Sequence, residues 1–315
     1  GDVYKRQVII LAVGLLLFPL YNVSAGVGTT GAQFLKIIPS ARAAGMGGAF
    51  GAVSDDVYAL YFNPSGIAKL NSSQVSATYL RYFGDVNYGF VGYATSESKL
   101  GAVGVGVTYL IVDKIERRGV EENSYYYEPE GYFTAEDQAL TLAYAKQNPF
   151  PKILDGMDLG ASLKFIKSEI DQNVAWTLSL DIAGIYSPME NLKTAVVIQN
   201  ISYGIRFDQQ TDPLPLNIKF AVSYKPINKL LLVCDLDEYV IDTKFYGSVG
   251  VEYWVVDMLG VRCGYKYGYD TASLGSIVGL TAGLGFRIWN LGVDYAYVPF
   301  GELGDTHRVS ITFKF

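Results

Sequence analysis

From Ser73 to the C-terminal Phe315 the chain is cut into segments of about ten residues in which apolar and polar side chains alternate. The last segment is the clearest. Val309, Ile311, Phe313 and Phe315 fall on one face, and Arg308, Ser310, Thr312 and Lys314 on the other. A period of two is that of a β-strand whose faces meet different surroundings. The same pattern sets Leu291, Val293, Tyr295 and Tyr297 opposite Gly292, Asp294 and Ala296, and sets Trp176, Leu178, Leu180 and Ile182 opposite Thr177, Ser179 and Asp181. It recurs through Ile218–Tyr224, Leu232–Asp237 and Val261–Lys266. The expected strands lie near 73–83, 86–95, 100–111, 136–146, 157–169, 173–187, 193–202, 216–225, 229–239, 243–254, 258–267, 275–286, 289–298 and 306–315. That makes about fourteen, an even number, as single-chain bacterial barrels require.

Alternation alone also suits a soluble sandwich, so the solvent has to be decided by composition. Half of the residues are hydrophobic and only 18% are charged, against roughly 25% in soluble proteins. Aromatics reach 14%, with 25 Tyr and 16 Phe. The polar faces carry Lys, Arg, Asp and Glu, and the apolar faces end in Tyr, Phe and Trp. That division fits a wet lumen, a lipid-facing band and aromatic girdles. Beyond the N-terminal run no apolar stretch is long enough for a spanning helix of about 20 residues. In lipid every backbone N–H and C=O has to be paired within the protein, which leaves a closed barrel. The net charge of −6 argues against nucleic acid as a partner.

The N-terminus reads as an export signal. Lys5 and Arg6 precede an apolar run from Val8 to Phe18, and the small-residue stretch Val23-Ser24-Ala25 follows. Cleavage is expected after Ala25. The opening GDVYKRQ resembles translated sequencing-adapter read-through, so the native start is expected to differ. Export with an integral barrel places the chain in the outer membrane of a Gram-negative-type bacterium. The terminal Phe315, with Val309, Ile311 and Phe313, resembles the signal read by the barrel assembly machinery.

Connection lengths orient the barrel. With the C-terminus in the periplasm, the periplasmic turns include SPMENLK, PINK, VVD and a turn near Arg287–Trp289, with Gln147–Asp155 longer than the rule favours. The outer connections include Val112–Ala135 and Tyr203–Pro215 as long loops, intermediate ones near Gly268–Leu274 and Pro299–Thr306, and short ones near Gly84 and Asp171.

Between signal and barrel, Gly26–Asn71 is rich in Gly, Ala and Ser and does not alternate. Its stretch IPSARAAGMGGAFGAVSDDVYALYFNPSGIAKL resembles the N-terminal region of the PorV/PorQ family, whose fold is similar to that of FadL-type fatty-acid transporters. The resemblance rests on Ser40, Ala41, Arg42, Ala43, Met46, Gly47, Ala49, Phe50, Asp55, Asp56, Asn63, Pro64, Gly66, Ile67 and Ala68, with Ser65 in place of the usual Ala. It implies an all-β transmembrane antiparallel barrel whose N-terminal segment folds inside as a plug, or hatch. The expected division is a signal over 1–25, a plug over 26–71 and a barrel over 72–315. Gly45, Gly47 and Gly48 suit tight turns and close approach to the wall. They are no dinucleotide loop, since no strand precedes them and the G-x-G-x-x-G spacing is absent. Asn63-Pro64 is a turn-starting pair. Arg42, Asp55 and Asp56 are candidates to pair with charged wall residues. In the third strand Gly104 and Gly106 face inward, as a seat for the plug or as a kink that opens the wall sideways. FadL-type architecture implies the second.

Catalytic readings are weak. His307 is the only His, and no G-x-S-x-G stands in the chain. Cys234 and Cys263 lie on strands separated by one other and both face lipid, which puts them about 10 Å apart, too far for a disulfide. No metal or cofactor site is expected. Two functions of different class fit. One is passive transport of hydrophobic or amphipathic small molecules. The other is a protein-interaction barrel serving type IX secretion, as the resemblance implies, with secretion-system proteins as partners. The aromatic-rich loop with Tyr125, Tyr126, Tyr127, Tyr132 and Phe133 suits either.

Overall fold

The structure is a computed structural model that describes residues 29–315 apart from 83, 85, 99–100, 119–129 and 270. The export signal and Tyr125–Tyr127 lie outside the described residues. Fourteen antiparallel strands close on themselves, and two more form a separate hairpin. The first seven barrel strands are β1 (Gln74–Arg81), β2 (Val86–Ser98), β3 (Gly101–Arg117), β4 (Gly131–Lys146), β5 (Met157–Ile170), β6 (Asn173–Met189) and β7 (Leu192–Ile201). The hairpin strands β8 (Ile205–Phe207) and β9 (Gln210–Asp212) follow. The remaining barrel strands are β10 (Asn217–Ile227), β11 (Leu230–Tyr239), β12 (Lys244–Val256), β13 (Leu259–Tyr267), β14 (Leu280–Ile288), β15 (Leu291–Pro299) and β16 (Asp305–Lys314). Each pairs with its sequence neighbour, β7 with β10 across the hairpin, and β1 with β16 to close the ring.

The alternation in the sequence is the alternation of the wall. On β16, Val309, Ile311 and Phe313 point out and Arg308, Ser310 and Thr312 are buried inward. On β6, Trp176, Leu178, Leu180 and Ile182 are all exposed outward. So much exposed apolar side chain is incompatible with water and matches a bilayer. Exposed aromatics gather toward both rims: Tyr79, Trp176 and Tyr267 on one side, Tyr253, Phe313 and Phe315 on the other. Among the described residues no helix is long and apolar enough to cross a membrane. Cys234 is half-buried, Cys263 is exposed, and both are free thiols.

Three expectations need correction. Val112–Ala135 is not a loop over its whole length, because the β3–β4 ladder continues to Arg117↔Gly131, past the last β2 pair at Val86↔Val112. A two-stranded ribbon therefore rises above the rim there. Tyr203–Pro215 contains the β8–β9 hairpin, whose strands of three residues are too short to show alternation. The strand expected from 275 begins at Leu280, after a short helix Thr271–Leu274 and a turn with glycines at positive φ, Gly275 and Gly279.

The inner face is also drier than expected. Ser76, Asp181, Asp235, Glu252, Arg262, Asp294 and Ser310 all point inward and are buried. The segment Thr29–Asn71 reaches several of them, Ala41 meeting Ser310, Arg42 meeting Glu252 and Phe50 meeting Asp235, and folds into short helical turns: Gln33–Lys36, Ala41–Ala44, Ala59–Phe62 and Pro64–Lys69. Its Met46, Phe50, Val57, Tyr58, Leu60 and Phe62 are buried and pack with inward residues such as Phe90, Ala143 and Val233.

Candidate functional site

The N-terminal segment is held by backbone fit and by charge. Gly47 and Gly48 have φ of 69° and 89°, a conformation that favours glycine. The wall answers with glycines of its own. A Cβ on Gly250 would stand 2.5 Å from Met46 Cβ, and one on Gly264 would overlap the Met46–Gly47 peptide. A Cβ on Gly283 would approach Gly45 Cα to 3.1 Å. These wall glycines fall on inward positions of strands read from the sequence, but only the packing shows what they accommodate.

Ser40 caps the 41–44 turn by accepting from Ala43 N at 3.2 Å. Asn63 accepts from Ser65 N at 3.1 Å and donates to Gly51 O at 2.7 Å. The Ser65 hydroxyl adds a bond to Asn63 Oδ1, so the departure from Ala is absorbed locally. Pro64 occupies the first turn after that cap. Gly66 touches the backbone of Ser54, leaving no room for a side chain.

Arg42 is the electrostatic centre. Its Nε and Nη2 reach the two carboxylate oxygens of Glu252 at 2.8 and 2.9 Å. Its Nη1 lies 2.5 Å from Asp55 and 3.6 Å from Asp56. Glu252 also accepts from Arg262 Nε at 2.7 Å, and Arg262 Nη1 donates to Asp294 at 2.7 Å. Of the three charges singled out in the sequence, Arg42 meets the wall, while Asp55 and Asp56 fold back onto Arg42. The wall residues Glu252, Arg262 and Asp294 were unforeseen as partners, although all three lie on inward positions. Burial pushes the Asp56 carboxyl up to about 6, with Arg42 opposing and Asp55 reinforcing the rise. A second anchor is Asp235, whose Oδ2 accepts from Phe50 N and Gly51 N at 2.9 and 2.8 Å. Lys219 bridges Asp235 and Asp237 at 3.4 and 3.0 Å.

Gly104 and Gly106, read from the sequence as a seat for the plug or as a sideways opening, lie on β3. Both face inward, yet β3 pairs without interruption there, Gly104 with Ala94 and Ala143, Gly106 with Gly92 and Thr141. A Cβ on Gly104 would stand 2.5 Å from Leu60 Cδ2, and one on Gly106 3.2 Å from Phe90 Cε2. The space belongs to the N-terminal segment and to Phe90. The ladder is instead irregular between β6 and β7, from Leu180↔Ile201 to Ile182↔Ile198. There Asn200, at φ 64°, gives its N–H to Asp181 at 2.8 Å, and Lys164 lies 2.7 Å from Asp181.

Phe315 is exposed, donates its N–H to Ser73 O at 2.9 Å and stacks beside Phe313 and Tyr93. His307 sits on the lipid side, 2.6 Å from the Tyr295 hydroxyl.

Residues 22–243 match the family described as "Type IX secretion system protein PorV", which is more than half of the chain. The chain belongs to the PorV family. No curated protein matches it. Among solved structures, this PorV-family chain is similar to the CymD monoaromatic hydrocarbon channel, with TM-score 0.61, 11% identity, and 87% of this chain and 96% of that one covered. The toluene transporter TodX of P. putida gives TM-score 0.59 and 9% identity over 87% and 97%. A FadL homologue of Pseudomonas aeruginosa gives 0.57 and 12% over 88% and 98%. At these identities the likeness establishes the FadL-type fold. The closed fourteen-strand barrel of this fold makes the PorV-family chain an integral outer-membrane protein.

Proposed function

We propose that this PorV-family protein is a passive conduit for hydrophobic or amphipathic small molecules, with residues 26–71 as its plug and 72–315 as its wall. The observation that carries this reading is a closed barrel with the N-terminal segment packed against its inner face, on a fold similar over most of its length to the hydrocarbon channel and toluene transporter named above. In this reading the plug shifts for passage, and Leu60 moves off Gly104. No catalytic step is assigned. The test is uptake of labelled toluene and of a labelled fatty acid by cells with and without the gene. Uptake that falls on deletion and returns on complementation is expected; equal uptake in both strains excludes the reading.

The second reading is a barrel that receives proteins during type IX secretion. Two observations favour it: the family match itself, and the ribbon above the rim with exposed Tyr132 near the outer end of its ladder. Loss of secreted proteins from the cell surface on deletion, with uptake unchanged, would select it over the first.

A further inference from the structure

At the mouth on the short-turn side, charge is unevenly satisfied. The inward carboxylates there are engaged: Asp158 by Lys69 at 2.7 Å, Asp55 and Glu252 by Arg42, and Asp294 by Arg262 and by Arg287 at 3.0 Å. Among the described residues, Lys193 and Lys225 have no carboxylate within 4.0 Å. They are neighbours. Lys193 on β7 pairs in register with Ser223 on β10, and Lys225 lies two residues further on the same inward face. Diagonal neighbours of this kind are on the order of 7–8 Å apart at Cα, well within reach of two lysine side chains. Like charges so placed repel unless an anion lies between them.

Both lysines line one open cavity of about 520 Å³, together with Lys69, Asp55 and Asp158. Lys225 also lines an adjoining cavity of about 220 Å³ with Lys314 and Arg287, where the carboxylates Asp55, Asp56 and Glu252 face Arg42. The larger volume falls within the range of small-molecule sites, about 300–1,000 Å³.

We propose that this mouth binds a small organic polyanion, its carboxylate or phosphate groups held between Lys193 and Lys225. Lys69 stays with Asp158 and Asp55 with Arg42, so the two free ammonium groups supply the net positive charge of the site. The site stands on its own charge geometry and is independent of both functional readings above.

The probes are citrate and inorganic phosphate, titrated calorimetrically into the folded barrel in nonionic detergent at physiological ionic strength. Saturable binding of citrate is expected, weakened at least tenfold in Lys193→Gln/Lys225→Gln and retained in Lys193→Arg/Lys225→Arg. Lys152→Gln, on an exposed turn, leaves it unchanged. Heat-modifiable gel mobility establishes that each variant is folded. In bilayer discs of phosphatidylcholine with added phosphatidylglycerol, loss of citrate binding identifies a lipid headgroup as the anion, and unchanged citrate binding identifies a soluble one. The proposal is overturned if neither probe binds saturably, or if the double Gln variant binds as tightly as the native protein.

Discussion

Glu252 grips Arg42 with both carboxylate oxygens, at 2.8 and 2.9 Å, so a strand residue and a residue 210 positions earlier in the chain act as one planar fork. Both are buried, and removing one partner strands a charge. Glu252→Gln is expected to destabilise the barrel by about 3–5 kcal/mol, the range for breaking a buried pair. Denaturant unfolding followed by gel mobility measures this. A loss below about 1 kcal/mol would mean that the fork does not hold the segment.

Glycine substitutions should rank by what a methyl group meets. Gly264→Ala overlaps backbone and is expected to block folding or expel the segment. Gly104→Ala meets the tip of Leu60 at 2.5 Å with Tyr93 O and Ala94 Cβ at 3.2 and 3.3 Å, and Gly106→Ala meets side chains at 3.2 Å or more, so both should fold with modest loss. Melting temperatures of the three purified variants, with uptake measured in parallel, check the order. An uptake defect in Gly104→Ala/Gly106→Ala at unchanged stability would support a sideways exit at this wall.

Asp56 gives a signed pH dependence. Burial favours its neutral form, so the folded state holds this proton more tightly than the unfolded state, whose ordinary value is 3.8. The stabilisation from the bound proton is present below about 4 and lost as pH rises through about 6. Asp56→Asn should therefore gain stability relative to native as pH rises from 4 to 7, by up to about 3 kcal/mol. Urea midpoints of both proteins at the two pH values provide the test, and a constant difference would contradict it.

Deleting Phe315 separates an assembly signal from a structural contact. The residue contributes one backbone bond to Ser73 and ring contacts with Tyr93 and Phe313. A signal role predicts less heat-modifiable barrel in cells but normal refolding of the purified chain into detergent. Equal loss in both settings would leave only the contacts.

Topology is checked by tags. Epitopes inserted at the β8–β9 tip, between Asp208 and Gln209, should be labelled on intact cells. Epitopes at Asn228 or Asn290 should need a ruptured outer membrane. The reverse pattern would turn the barrel over.

The wall was legible in the sequence because lipid and interior impose opposite demands on successive side chains, and ten-residue strands record that contrast many times over. The tall ribbon was less legible. Beyond the bilayer neither face of Asp113–Arg117 meets lipid, and the alternation fades into what reads as a loop. In the segment, Gly47, Gly48 and Asn63 announced turns because their chemistry is local. Their counterparts Gly250, Gly264 and Glu252 did not, since an inward glycine or glutamate reads as a lumen residue until something is placed against it.

The ring closes where β1 meets β16, and that closure has a second participant. Hydroxyls line the inner side of the junction, Ser76 with Thr312 and Thr78 with Ser310, each at 2.8 Å. Ser310 also accepts the Ala41 N–H at 2.9 Å, and Thr78 meets the Tyr58 hydroxyl at 2.6 Å. The zipper that joins the first and last strands is thus threaded through the residues that precede the first strand. Drawing the segment away from the wall would therefore cost this junction two hydrogen bonds, Ala41 to Ser310 and Tyr58 to Thr78, while the eight-residue backbone ladder between β1 and β16 remains.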